Sequence, residues 1–552
     1  MRLMFTQVHL RTPRSPALIV LLASVWLAVA GNLALWQTLS RLPDISGFKG
    51  LVFSAAFALI IAGAITVVLS LLAWRWTLKP AISLLLLLAA FATYYMLMYG
   101  IVVDTPMVIN VFQTDVREAR DQLSWQLLLS VLVLAVLPML WLWPQPLTRD
   151  TWRQQLVRNL VLFVGGLLVT VGTTQLVFQD FSSLMRNYTD LRYKINPLNS
   201  VYAVLDLTVI PSEAPSGPLQ SLGLDAHIVP RTGAAAQRPP LLVFVVGETA
   251  RSQNFSLNGY NRLTNPKLAQ ENITSFTQVS ACGTSTAASL PCMFSHLGRE
   301  AFNARSQPFE NLLDVLQHAG YAVLWIDNQS GCKDQCARIP NLNTSNLKVV
   351  EHCGSHECRD TVMLTQIESA MAQLPAERRA RGTVVVMHQM GSHGPAYFQR
   401  TPAAFKKFTP ECTDTSLSQC DRQQIVNAYD NTIVFTDHFL SQVIAWLKRQ
   451  EKTATPAMLY VSDHGESLGE KNMYLHGLPY SVAPPEQTQV PLITWLSPGF
   501  EQLSRVSTRC LQSQRDKHLS HDHLFHSVLG LMAVQTTVYQ RERDFFATCE
   551  GR

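Results

Sequence analysis

The chain has 552 residues, more than one ordinary domain holds, with 44 Lys+Arg against 39 Asp+Glu and a formal net charge of +5. This mild excess, with no basic stripe interleaved with aromatics, lacks the signature of a nucleic-acid binder and suits a membrane surface and an anionic substrate. All ten cysteines lie after residue 281, which sets a cysteine-free apolar half against a half that sits where thiols oxidise.

Five uncharged apolar runs reach the roughly 20 residues that a bilayer crossing needs: 17–36, 51–74, 81–103, 124–143 and 159–178. Trp36, Trp74, Trp76, Trp141 and Trp143 mark their ends as interface anchors would. Lys and Arg number eight in the N-terminal segment and the loops after runs two and four, against four in the alternate loops. The bias predicts a cytoplasmic N-terminus, and five crossings then put everything after residue 179 outside, where the cysteines are. The competing reading of the first run is a cleaved signal peptide ending near Ala28-Val-Ala30, but the apolar run continues past that point.

The expected division is a five-helix membrane domain over 1–180, an interfacial helix and linker over 181–240, and a globular domain over 241–552. Within the middle segment, 211–240 is rich in Pro, Gly, Ser and Ala. From Leu241, short buried-strand runs (241–246, 322–327, 383–388, 457–462, 490–496) alternate with helical stretches (309–319, 361–373, 425–449, 523–532). That alternation predicts a mainly parallel sheet covered on both faces, with ligands beyond the carboxyl ends of its strands. Residues 521–526 carry three histidines, read as the start of the last helix rather than as a metal cluster.

Three strand ends deliver chemistry to that edge. The first runs into Gly247-Glu248-Thr249, the third into Gln389-Met-Gly-Ser-His393, the fourth into Asp463-His464-Gly465-Glu466. Glu248, Asp463 and His464 make a mixed oxygen–nitrogen ligand set that suits zinc or manganese, zinc being the commoner hydrolytic choice. Gly465 would let the adjacent pair turn onto one ion. The competing reading is a capped turn. The hydroxyl-rich stretch Thr284-Ser285-Thr286, bracketed by Cys282 and Cys292, leads into a helix and offers an alcohol that a metal would activate. Spacing does not choose among the three, and all could simply cap the helix. Cysteine proximity suggests pairs 282–292, 332–336, 353–358, 412–420 and 510–549.

Gly-Glu-Thr-Ala-Arg at 247–251, Cys-Gly-Thr-Ser-Thr at 282–286, Gly-Ser-His-Gly-Pro at 391–395 and Ser-Asp-His-Gly-Glu at 462–466 resemble the lipid A phosphoethanolamine transferases, among them the mobile colistin-resistance enzymes. The resemblance runs essentially the whole chain. It implies an alkaline phosphatase/sulfatase-like fold for the second half and a bacterial inner-membrane enzyme with a periplasmic catalytic domain. It also implies a phosphatidylethanolamine donor, a lipid A acceptor, and polymyxin resistance as the outcome. It makes Thr286 the nucleophile and a zinc partner alongside Glu248, Asp463 and His464. It brings in His393 and His476 as catalytic or substrate-binding groups, where a second zinc could also sit. It places further substrate contacts at Asn110, Thr114, Glu118, Ser330 and Lys333, the first three spaced to share one helix face. A monomer and no nucleic-acid partner are expected.

The rival readings are a relative that modifies lipopolysaccharide core sugars and a non-catalytic envelope-assembly or transport protein. Transport predicts ionisable residues inside the spans, and the five runs carry none. A sulfatase would want a Cys or Ser in a modification motif, which the sequence lacks.

Overall fold

A computed structural model describes residues 12–551 except 43, 44, 46, 114–118, 121, 209–214, 216, 231–233, 346, 348, 350 and 354–356. The chain divides into two compact units, 1–108 with 123–210, and 109–122 with 211–552.

Among the described residues the first unit holds five helices long and apolar enough to cross a membrane: Pro16–Leu39 (α1), Gly47–Leu71 (α2), Leu78–Tyr99 (α3), Trp125–Leu142 (α4) and Trp152–Leu176 (α5). Each overlaps an expected run. The fifth begins earlier than hydropathy alone predicts, because Thr151 and Gln154 form a capping box and the first turns carry Arg153 and Arg158. Val20, Leu27, Phe57 and Leu69 face inward, whereas Leu51, Leu128 and Leu168 stand exposed on the outer faces, as lipid-facing positions do.

The three segments expected on one side of the bilayer meet one another. Lys79 Nζ donates to the carbonyls of Trp143 (2.8 Å) and Gln145 (2.7 Å), and the Arg14 amide to Pro146 O (2.8 Å). Arg158 pairs with Asp150 and donates to Ala73 O at 3.3 Å. Cations thus satisfy carbonyls that the ends of α2 and α4 leave open.

α1 is interrupted by a 3₁₀ turn at Ala30–Asn32. Two amide side chains supply what the break removes. Asn32 Nδ2 donates to Leu27 O (2.9 Å), and Asn196 Nδ2 to Gly31 O and Ala89 O (both 2.9 Å), all buried. Away from water each of these groups needs its partner.

α2 and α5 pack through glycines. A Cβ on Gly166 would lie 2.9 Å from Gly63 O, and one on Gly63 would lie 2.9 Å from Gly166 O. Close backbone approach of this kind holds helices together where the hydrophobic effect cannot. Gly166→Leu is therefore expected to destabilise the intact protein by at least about 1–3 kcal/mol, while Gly165→Ala, with open space around its Cβ, leaves it unchanged. Thermal unfolding in detergent distinguishes the two.

The second unit is built on a seven-stranded sheet: Pro240–Gly247 (β1), Ile273–Phe276 (β2), Ala322–Asp327 (β3), Asn341–Asn343 (β4), Thr383–His388 (β5), Thr455–Ser462 (β6) and Leu492–Leu496 (β7), in the order β2-β7-β6-β1-β5-β3-β4. β6, β1, β5, β3 and β4 run parallel, while β7 is antiparallel to both β6 and β2. The parallel core matches the expectation. The antiparallel edge does not follow from apolar runs, which carry no direction, and β2 and β4 are too short to announce themselves. β1, β3, β5 and β6 are buried at every position, so both faces are covered. Each Val, Leu, Ile or Phe they bury contributes roughly 1.5–3 kcal/mol. The helices that matter below are Thr286–Met293 (α6), Leu312–His318 (α7), Val362–Ala372 (α8), Arg422–Gln450 (α9) and Leu524–Leu531 (α10). All five expected disulfides are formed, including Cys510–Cys549.

Candidate active site

β1 ends at Gly247 and β6 at Ser462, paired in register, so Glu248 and Asp463 leave the sheet side by side. Both are fully buried, as is His464. Their ligand atoms lie within 4.8 Å of one another, a grouping able to hold a metal ion. His464 Nε2 stands 3.4 Å from Glu248 Oε1 and 3.4 Å from Asp463 Oδ2. His464 Nδ1 lies 3.0 Å from Gly465 O, an acceptor only, so Nδ1 carries the proton and Nε2 presents its lone pair. Burial pushes the imidazole down to about 4, which keeps it neutral.

Asp463 divides its oxygens. Oδ1 accepts from the amides of His464 (2.7 Å) and Thr249 (3.2 Å). Oδ2 is buried and accepts no hydrogen bond among the described residues. A buried carboxylate oxygen so placed is costly without a cation, and the donor set of two carboxylates and one neutral imidazole is one that zinc takes.

The helix α6 delivers Thr286 as its first residue. Thr286 Oγ1 lies 3.0 Å from Glu248 Oε2 and 3.4 Å from His464 Nε2. The neighbouring hydroxyls are spent elsewhere or make no cap. Thr284 Oγ1 donates to Leu478 O (2.6 Å), and Ser285 occupies the N-cap without a side-chain capping bond. The helix therefore aims an uncapped positive end toward the cluster. Of the three hydroxyls that spacing left open, Thr286 is the one that touches the acidic set among the described residues.

His393 and His476 come to the same place. The ring of His476 lies 4.4 Å from that of His464 and 5.4 Å from that of His393, centroid to centroid. His476 Nδ1 lies 3.1 Å from Glu466 Oε2, and Tyr397 donates to Glu466 Oε1 at 3.0 Å. Burial pushes the Glu466 carboxyl up to about 8. Ser330 and Lys333 are joined to the cluster by a relay. Lys333 Nζ donates to Ser330 Oγ (3.2 Å), Ser330 to Gln329 Oε1 (2.7 Å), and Gln329 Nε2 to Glu248 Oε2 (3.1 Å). Asn110 is half-buried on the helix Thr105–Gln113. Thr114 and Glu118 lie outside the described residues.

Asp360 and Gln329 hold the site and were not singled out from sequence. Asp360, buried, accepts from Asn328 Nδ2 (2.9 Å), Gln389 Nε2 (3.1 Å) and the amides of Met390 (2.8 Å) and Gly391 (3.0 Å), which seats the loop after β5. Gly391 has φ +50°, and a Cβ there would lie 2.7 Å from Glu248 O, so the approach requires glycine. Gly465 serves differently from the expectation: its φ is ordinary, and it is glycine because a Cβ would strike Glu486 O at 2.1 Å. His521 accepts from the Cys282 amide at 3.0 Å and stands 3.0 Å from Ser462 O, tying the α6 entry to the end of β6. His523 turns to Ser520 and His526 to His296 and Gln540; His521 and His523 lie in the 3₁₀ turn that leads into α10, and His526 in α10 itself.

A buried hydroxyl at a helix start, facing carboxylates and an imidazole beyond the carboxyl ends of parallel strands, defines a sulfatase-like catalytic domain, and the family pattern described as Sulfatase matches residues 240–534. A second pattern, Phosphoethanolamine transferase EptA/EptB, matches 61–209. The chain is 39% identical over 536 residues to phosphoethanolamine transferase EptA of Escherichia coli K12, covering 96% of each chain. It is 36% identical to phosphatidylethanolamine transferase Mcr-1 of Escherichia coli over 96% of this chain and 97% of that one. The integral membrane lipooligosaccharide phosphoethanolamine transferase A of Neisseria meningitidis matches as a structure with TM-score 0.91 and 32% identity, covering 98% of this chain and 100% of that chain. The chain belongs to the EptA/EptB family of phosphoethanolamine transferases.

Proposed function

We propose that the chain moves phosphoethanolamine from phosphatidylethanolamine to a phosphate of lipid A by way of a phospho-Thr286 intermediate. The observation that carries this reading is Thr286 Oγ1, 3.0 Å from Glu248 Oε2, at the uncapped start of α6. The lipid A acceptor and cationic-peptide resistance rest on similarity to EptA and Mcr-1.

In the first step, Thr286 Oγ attacks the donor phosphorus, the P–O bond to diacylglycerol breaks, and the Thr286 proton passes to the neighbouring acid–base groups. The alkoxide leaving group takes a proton and departs as diacylglycerol. In the second, an oxygen of the acceptor phosphate attacks the same phosphorus, the P–Oγ bond breaks and Thr286 recovers its proton. His476, packed against His464, and His393, packed against His476, are the groups we assign to proton transfer with the leaving group and the acceptor. Lys333 supplies positive charge for the phosphoryl oxygens. Zinc held by Glu248, Asp463, His464 and Thr286 would lower the hydroxyl pKa and offset charge on the transferring group. A second zinc near His393 and His476 is compatible with their side chains. The substrate contacts assigned to Asn110, Thr114 and Glu118 belong to the same reading. So do a cytoplasmic N-terminus, a periplasmic catalytic domain, an inner-membrane location and a monomeric state.

Mass spectrometry of lipopolysaccharide from expressing cells tests the acceptor. Addition of phosphoethanolamine to lipid A is the expected result. Addition to core sugars alone would move the acceptor, and addition to neither would refute transfer.

A further inference from the structure

Beside α6 the catalytic domain holds a cavity of about 350 Å³, bounded by Pro291 and Ser295 from the end of that helix, by Phe302, Arg305 and Phe309, and by Lys333 of the Cys332–Cys336 loop. That volume suits a small polar ligand. Its charge is unusual. Arg305 is half-buried, donates to Phe302 O at 2.5 Å and lies over the Phe302 ring at 3.4 Å. Among the described residues no carboxylate pairs with it. Burial pushes its pKa down. Two of the acids near the cavity are committed: Glu310 accepts from the Leu222 amide and His318 (both 2.9 Å), and Asp314 takes Arg338 through two bonds of 2.7 and 2.6 Å. Asp334, the other acid on the wall, is exposed to solvent, where water screens its charge. A half-buried guanidinium without a counter-charge favours an incoming anion.

Phe309 stands partly exposed on the same wall. A sugar ring offers C–H bonds on one face and hydroxyls at its edge, so it lies well against an aromatic wall in a polar pocket. The cavity also communicates with the reacting alcohol. Lys333, Ser330, Gln329 and Glu248 are hydrogen-bonded in series from the cavity rim to the carboxylate that Thr286 contacts.

We propose that this cavity is a subsite for a phosphorylated sugar, with Arg305 on its phosphate and Phe302 and Phe309 against its ring, so that it holds the acceptor headgroup while another of its phosphates reaches Thr286. The proposal rests on the acceptor reading above.

The test uses the intact protein in detergent micelles. Arg305→Ala is expected to raise the acceptor KM about tenfold, the loss of one charge-assisted hydrogen bond, with Arg305→Lys recovering part of it and Phe309→Ala raising it less. Release of diacylglycerol without acceptor should be unchanged. Glucosamine 1-phosphate should bind the wild-type protein by calorimetry and bind Arg305→Ala weakly or not at all. An unchanged acceptor KM in Arg305→Ala overturns the subsite. An equal rise in donor KM assigns the cavity to the donor headgroup instead and overturns it too, and inorganic phosphate binding as tightly as glucosamine 1-phosphate removes the sugar from the claim. If lipid A is not the acceptor, the wild-type protein fails to turn it over, whereas a failed subsite leaves wild-type turnover intact. Calorimetry with the probe decides the subsite in either case.

Discussion

Thr286→Ala should reduce phosphoethanolamine transfer by at least about 10³-fold while leaving the protein folded. The substitution deletes the hydroxyl that lies 3.0 Å from Glu248 Oε2 and 3.4 Å from His464 Nε2. It costs one hydrogen bond to stability, about 1 kcal/mol. The paired control is Thr284→Ala, two residues away and equally buried. Its hydroxyl donates to Leu478 O, so its loss should cost a similar amount of stability and leave transfer largely intact. Thr286→Ser keeps the oxygen but loses the methyl group that restricts χ1, and should retain part of the rate. Wild-type protein incubated with phosphatidylethanolamine and no acceptor should accumulate phosphoethanolamine on the tryptic peptide containing Thr286, read by mass spectrometry. Full transfer by Thr286→Ala, or labelling of another residue, would remove Thr286 from the mechanism.

The contrast between Thr284 and Thr286 also marks how far sequence carries. The strand-end placement of Glu248, Asp463 and His464 was legible because an apolar run that stops at a charged residue announces both a strand and its end. The five apolar helices were legible for the same reason, length and missing charge. Which of three adjacent hydroxyls faces the acids was not, because that depends on the rotation of α6 about its axis, set by packing across the domain. Asp360 and Gln329 were invisible for a related reason. Each acts on a backbone or side chain contributed by a distant segment, and nothing around it in sequence distinguishes it from an ordinary polar residue. Gly465 drew the right attention for the wrong reason: a glycine after a ligand pair suggests a turn, whereas the structure uses its missing Cβ to admit the Glu486 carbonyl. β7 carries a convincing strand pattern, yet its antiparallel direction is decided by the chain's route and not by composition.

Stripping divalent metal from the intact protein should abolish transfer and lower its unfolding temperature, and added zinc should restore both. Glu248 and Asp463 are fully buried beside a histidine held neutral by burial. Two carboxylates in low dielectric repel each other, and Asp463 Oδ2 accepts no hydrogen bond among the described residues. Unfolding releases both to water, so the metal-free protein carries a penalty that a bound cation removes. A metal at a thousandfold excess over its Kd would add about 4 kcal/mol, which is several degrees in a domain of this size. The sign reverses in Glu248→Gln. That variant loses a ligand and the activity with it, but removes half of the repulsion. Its metal-free form should melt no lower than metal-free wild-type, and its gain from zinc should be smaller. Calorimetry of the two proteins with chelator and with zinc, alongside metal content by mass spectrometry, reads this directly. A wild-type unfolding temperature indifferent to chelation, with no metal retained at the start, would mean that the two carboxylates are reconciled by protons instead, and Thr286 would then have to be activated by Glu248 and His464 alone.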